Sequence, residues 1–383
     1  MMGEQDVRER LQAVEVPGTR LSVETLVAGG RKRVLRRRAV QAGCGVALAT
    51  GLLVGVPSVL LRPGGGPDET AGPSLRTVQC AATSLPIPDG MNAVQAAGID
   101  PGGRYVIAND LRTSKLSTPE GKLAGVEKSQ PIQWTDGMPQ VLPKVGDWVR
   151  AEAVSAGGVV AAVAGPKDKW ADSVLRYVAG VPEKMTPPTG KWTFREAAIN
   201  ARGDIIVNGS RKGSGDRTDA VLLWKAGSAT ATRLPLPAYA EGTSILDDGS
   251  VLGSVVSKGD LTSYVWDEQG RGRALTAPAG QQGAVNNAHG DWATGNLWPS
   301  GQVARWNLRT GEMTALPVNA PAHAVNAEGW IASDGTVLRD DAKVQLTTPG
   351  GGKAEPLQIS DTGVVLGVPF DDGSTVITWR CGD

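Results

Sequence analysis

The chain has 383 residues with 39 basic and 39 acidic side chains, enough length to bury a large core or several and no overall charge. The signs are unevenly placed: residues 1–38 hold nine basic and five acidic groups, residues 39–61 hold none, and the remainder is mildly acidic. With no basic run after residue 38, nucleic acid is not the expected partner, while 51 Gly against 11 Trp, 4 Tyr and 2 Phe suit many short strands, tight turns and a few large anchors.

Residues 1–38 read as a basic cytoplasmic stub. Val7, Leu11 and Val14 share one face of a short helix ended by Pro17-Gly18, and Leu21–Val27 predicts a second, stopped by Gly29-Gly30. Arg31-Lys32-Arg33 and Arg36-Arg37-Arg38 form a topology signal that could also dock a cytoplasmic regulator. Ala39–Leu61 is 23 residues without charge, long enough to span about 30 Å of hydrocarbon, and the basic cluster before it places the N-terminus inside. Pro57-Ser58-Val59-Leu60-Leu61 offers no good small-x-small cleavage site, so an uncleaved anchor is expected. Residues 62–76 are a Pro/Gly-rich tether, and residues 77–383 are the expected ectodomain.

Within 77–383, three anchors recur in fixed order. The first is a turn of the form polar-x-x-Gly: Asp100–Gly103, Ser155–Gly158, Asn200–Gly203, Asn287–Gly290, Asn326–Gly329 and Ser360–Gly363, with Leu246–Gly249 as a seventh that departs at its first residue. The second is an apolar pair leading to an aromatic: Trp134, Tyr177, Trp224, Trp266, Trp306 and Trp379, with Asp340 in the aromatic's place in the sixth copy. The third is an apolar residue just before Pro, as in Leu142-Pro143, Leu234-Pro235 and Leu316-Pro317. The seventh closing anchor is missing from the C-terminus and stands at the other end, as Leu85-Pro86.

The spacing from Gly103 to Gly363 averages about 43 residues, within the range for four-stranded propeller blades. The displaced anchor explains itself if an N-terminal strand completes the last blade and leaves no open edge at the seam. The expected fold is therefore all-β: a seven-bladed β-propeller closed by its N-terminal strand. Of the three Cys, Cys44 falls in the membrane span; Cys80 and Cys381 fall on the two strands that should pair, which predicts a disulfide with a Cα separation of about 4.4–6.8 Å.

Stepping back five residues from each turn gives a ring where each blade enters its innermost strand: Gln95, Arg150, Arg195, Glu241, Gln282, Pro321 and Glu355. Trp148 before Arg150 and Trp192 before Arg195 would add stacking faces beside planar donor forks, suiting a sugar, a carboxylate or a peptide. Trp148, Arg150, Trp192, Arg195, Glu241, Gln282 and Glu355 are thus the candidate ligand-binding residues. Glu241 and Glu355 are also the only acid/base candidates for a glycosidase-like alternative. His289 and His323 read as turn or surface histidines without the ligands of a zinc site, so neither a metal nor a cofactor is expected. Asp247-Asp248-Gly249-Ser250 and Asp371-Asp372-Gly373-Ser374 read as turns, and Asn208-Gly209-Ser210 matches a glycosylation sequon by letters only.

Ala197-Ala198-Ile199-Asn200-Ala201-Arg202-Gly203-Asp204-Ile205-Ile206-Val207-Asn208-Gly209 resembles extracytoplasmic β-propeller repeats of the WD40-like, HAF type, and the likeness extends in weaker form over about residues 77–381. The first 60 residues resemble the stubs of actinobacterial single-pass membrane proteins, including anti-sigma-like ones. Together these imply a cell-membrane protein, N-terminus cytoplasmic, whose propeller recognises an extracytoplasmic protein, peptide or glycan. A propeller hydrolase or lyase acting on envelope carbohydrate, and a structural scaffold, are the alternatives.

Overall fold

The computed structural model describes residues 80–111, 129–167, 169–211, 217–257, 259–339, 342–370 and 375–381. The expected stub, span and tether, with Cys44, Asp340 and residues 371–374, lie outside these. Among the described residues no helix is long and apolar enough to cross a membrane.

Strands form seven antiparallel sheets of four. The inner strands of blades 1 to 7 are Val94–Ile99, Trp148–Val154, Trp192–Ile199, Ala240–Ile245, Gln282–His289, Ala322–Val325 and Ala354–Ile359. In blades 1 to 6 the strands follow in sequence order from the axis outward. Blade 7 takes its three inner strands from the C-terminus and its outermost, Cys80–Ser84, from the other end. The expected seven-blade closure is therefore present.

Both faces of each blade meet a neighbour, so central strands are apolar throughout rather than alternating. Ala220–Trp224 and Val160–Gly165 are buried at every position. The buried side chains gather into seven clusters, one at each blade-to-blade interface. The cluster across the seam joins Leu85, Leu366 and Val376 to Val94, Val106 and Trp134.

The aromatic and closing anchors prove to be partners. A buried indole or phenol carries one donor that needs an acceptor. Tyr177 Oη donates to Pro143 O (2.7 Å), Trp224 Nε1 to Thr186 O (3.3 Å), Trp306 Nε1 to Thr276 O (2.7 Å) and Trp379 Nε1 to Thr347 O (2.6 Å). Each acceptor sits beside the closing residue of the preceding blade. Trp134 of blade 1 donates to Pro86 O (2.8 Å), so the displaced seventh anchor serves as the sequence order around a ring requires.

Cys80 and Cys381 are register partners joined by a disulfide with Cα atoms 4.1 Å apart, just below the expected interval. Leu85 N donates to Val376 O, and counting back in twos puts Cys80 and Cys381 in a non-hydrogen-bonded pair, where opposed Cα atoms are closest.

All seven turn glycines have φ between 56° and 93°, a region that a side chain disfavours. In six turns the Gly N–H bonds the carbonyl three residues back, Asp247-Asp248-Gly249-Ser250 among them. Blade 5 departs from the expectation. There His289 pairs with Trp292 across a two-residue hairpin, Gly290-Asp291. His289, not Asn287, occupies the place of Asp100 and Asn200, and the ring position falls on Ala284, paired with Asn296 as Gln95 is with Asn109. Asn208 is 4% exposed and bonded through both amide atoms to Gly242, so the apparent sequon is a blade-to-blade clamp.

Candidate functional site

The register divides the propeller into two faces. Inner strands begin on an entry face, which also carries the loops joining second to third strands and the connections between blades. They end on a turn face, with the glycine turns.

Every inner strand carries a β-bulge: Ala97, Glu152, Thr243, Asn286, His323 and Leu357 are each the extra residue in their strand, and Arg195-Glu196 oppose Asn208 alone in blade 3. Bulges bend a strand and re-aim a side chain. The bulge ring borders an axial cavity of about 230 Å³, lined by all seven inner strands, with Glu152, Thr243, Asp247, Asn286, His289 and His323 as its chemically active members.

Arg150 Nε donates to Glu152 Oε1 at 2.5 Å. Burial pushes the Glu152 carboxyl up to about 7 against the pull of Arg150, and the charge of Glu196 adds to the rise. Glu152 in turn holds the Arg150 guanidinium above its ordinary value despite burial. His323 Nε2 lies 2.7 Å from Glu355 Oε1, and His289 Nε2 lies 2.9 Å from Asp361 Oδ2. Burial would lower His289, but the hydrogen bond and charge of Asp361 outweigh it and raise the imidazole; Asp361, whose own burial acts the other way, is held down by His289 and the Ala327 N–H. Both histidines therefore border the axial cavity rather than the outer surface. Sequence spacing gave their blades but not the carboxylates facing them.

The seven candidate residues are not gathered into one constellation. Trp148 and Trp192 are buried between blades, donating to Pro166 O (2.9 Å) and Pro188 O (2.8 Å). They cannot stack on a ligand without leaving the core. Arg150 is committed to Glu152. Arg195 lies 5.6 Å from the centroid of Trp170, a residue the repeat pattern did not mark. Glu241 accepts from Thr218 Oγ1 (3.4 Å), Glu355 faces His323, and Gln282, two residues ahead of the true ring position, bonds Asp260 and Leu261 N. Glu241 and Glu355, on blades 4 and 7, thus have separate partners.

The entry face holds what periodicity missed. All 17 aromatic residues fall within the described residues, and four are exposed by about half: Trp170, Tyr239, Trp298 and Phe370. Trp170 lies in the loop after the second strand of blade 2, Tyr239 in the connection into blade 4, Trp298 opposite Gln282 at the start of blade 5, and Phe370 just past the Ala354–Pro369 pair. All four are on the entry face. None occupies an anchor position, but neither do the buried Trp148, Trp192 and Phe194, so the repeat pattern alone does not mark out the exposed four.

No family model and no curated protein matches this chain. Among solved structures it is similar to a streptogramin B lyase (11% identity, TM-score 0.53, covering 79% of this chain and 98% of that one). It is similar to the RRP9 WD40 repeats (12%, TM-score 0.52, 81% and 100%) and to YCF48 bound to D1 peptide (14%, TM-score 0.51, 81% and 98%). At such identities the likeness concerns the fold alone: the described residues form a seven-bladed β-propeller, an architecture shared by a lyase, a WD40 repeat protein and a peptide-bound protein.

Proposed function

We propose that this chain is a membrane-tethered, extracytoplasmic recognition module whose entry face docks a protein or peptide segment. The observation that carries the reading is the placement of all four exposed aromatics on that one face. Exposed Trp, Tyr and Phe are costly to leave in water and are enriched where proteins bind one another. The YCF48 structure with a bound peptide supports the use of such a fold for peptides. The Cys80–Cys381 disulfide supports an oxidising compartment and hence display beyond the membrane through residues 39–61. A carbohydrate-cleaving role for Glu241 and Glu355 is less favoured, because each is engaged by a neighbour on its own side of the ring.

Site-specific photo-cross-linking in the full-length chain tests the reading. A photoreactive residue at Trp170 or Trp298 should capture a second protein in cells, and one at Met138 or Val181 on the turn face should not. Capture from the turn face alone, or a carbohydrate adduct in place of protein, would overturn it.

A further inference from the structure

We propose that a pocket between blades 3 and 4 on the entry face binds a carboxylate of an acidic, extended peptide; this deepens the docking role above and rests on it. The pocket, about 400 Å³, is lined by Arg211, Thr218, Asp219, Arg233, Ala238 and Tyr239. Arg217 lies over the Tyr239 ring, 5.1 Å from its centroid. Three guanidinium groups thus belong to the pocket or its rim. Among the described lining residues the one carboxylate, Asp219, accepts the Arg211 backbone N–H at 2.6 Å, and the Asp219 carbonyl accepts from Arg233 Nη2 at 3.0 Å. Glu241 stands next to the lining, bonded to Thr218. Among the described residues here cations outnumber carboxylates, although the chain beyond residue 61 is mildly acidic.

Tyr239 supplies an independent sign. Its φ is 64°, in the left-handed region where a bulky side chain is strained, and its side chain is 49% exposed. Burial does not offset the strain. Strained residues of this kind concentrate at ligand sites, where the conformation is kept for what it presents. Here it presents a ring face to Arg217. A guanidinium stacked on an aromatic keeps its in-plane N–H groups for a carboxylate, which it meets with paired hydrogen bonds. A second pair lies toward blade 2, Arg195 5.6 Å from the Trp170 centroid, while Arg211, 5.4 Å from that of Trp192, already has partners of its own. Two arginine–aromatic pairs, Arg217 on Tyr239 and Arg195 on Trp170, spread across blades 2 to 4 suit an extended chain with more than one carboxylate. Phosphate in a nucleic acid is disfavoured by the acidic remainder of the chain.

The test is fluorescence anisotropy with fluorescein-labelled octaglutamate and the full-length chain, with octalysine and an eight-residue oligothymidylate as controls. Octaglutamate should bind best and weaken as salt rises. R217A/R233A should weaken it by roughly tenfold or more with the thermal melt unchanged. Y239G should weaken binding while keeping or raising the melt, since Gly accepts a positive φ without strain. Octaglutamate that fails to bind, binds no better than octalysine, or binds all variants alike would overturn the proposal; so would tighter binding of the oligothymidylate. Cross-linking from Trp298 would still succeed if only this inference failed, and would fail if the docking role itself were wrong.

Discussion

The two faces of the ring are built from the same strands, yet they differ in what they leave exposed. On the turn face, side chains of one blade tie down the backbone of the next. Asn200 Nδ2 donates to Leu246 O (3.0 Å) and Asn326 Nδ2 to Ser360 O (3.1 Å). Asp247 and Asp361 accept the backbone N–H groups of Ala201 and Ala327 (2.9 and 2.8 Å). Thr362 Oγ1 reaches Gly102 O across the seam (3.0 Å). On the entry face the aromatics left in water are Trp170, Tyr239, Trp298 and Phe370, and arginines lie over two of them. Closing a ring needs every blade fixed to both neighbours, and bonds between blades run on both faces, Gln282 of blade 5 accepting the Leu261 N–H of blade 4 on the entry face (3.2 Å). What sets the entry face apart among the described residues is that it also holds exposed aromatic rings.

The largest expected effect breaks the circle itself. C80S/C381S removes a link 301 residues apart in sequence, which the chain-entropy model values at about 5 kcal/mol for loops of this order. A fall in denaturant midpoint of that scale, matched by adding reductant to the unaltered chain, is the expected result. A smaller loss, about 3–5 kcal/mol, follows from Trp224→Ala, which opens a cavity between blades 2 and 3 and leaves the Thr186 carbonyl with the Ala231 N–H but without the indole donor. Trp298→Ala on the entry face should stay within about 0.5 kcal/mol of the unaltered chain by the same measurement. That contrast sharpens the division between faces more than either value alone.

Smaller still is the pH dependence centred on the His289–Asp361 pair. His289 is raised above 6.5, so its contribution is complete below that value and is lost as pH rises through the higher folded value. Asp361 is lowered below 3.8, so its contribution is present above that value and is lost only as pH falls through the lower folded one. Glu152, pushed up to about 7, binds its proton more tightly folded than unfolded, and stability from it declines as pH rises from about 4.5 to 7. His289→Ala and Glu152→Gln should each flatten the stability–pH curve, the first on the alkaline side of 6.5 and the second below 7, with entry-face binding unaffected.

Much of the circle was readable because its parts obey local rules. A glycine at positive φ, a buried aromatic needing an acceptor, and a carbonyl beside Pro recur at a fixed period, and each can be seen one residue at a time. Blade 5 misled because Gly290 serves a two-residue hairpin, and Asn287 happens to stand three places before it. Blade 6 is harder for a different reason: its second, third and outer strands have three residues each, and its third strand ends at Leu338 without an aromatic. The ring of candidate binding residues was legible only in part. Trp148 and Trp192 look like ligand platforms in sequence, yet their acceptors, Pro166 and Pro188, lie in loops that periodicity does not relate to them. Trp170 and Tyr239 were overlooked because loop residues carry no repeat, and pairings such as Arg217 with Tyr239 exist only once two blades are placed side by side.

Affinity for octaglutamate and melting temperature, measured together in Y239G and Asn326→Ala, test the division between the faces most directly. Y239G should lose affinity and keep or gain Tm; Asn326→Ala, which removes one of two donors to the Ser360 carbonyl and the Oδ1 that accepts the Glu328 and Trp330 N–H groups on the turn face, at a cost of about 1–3 kcal/mol, should lose Tm and keep affinity. If Y239G melted lower while binding as before, or if Asn326→Ala lost affinity at temperatures where it stays folded, turn-face stitching and entry-face docking would not be separable.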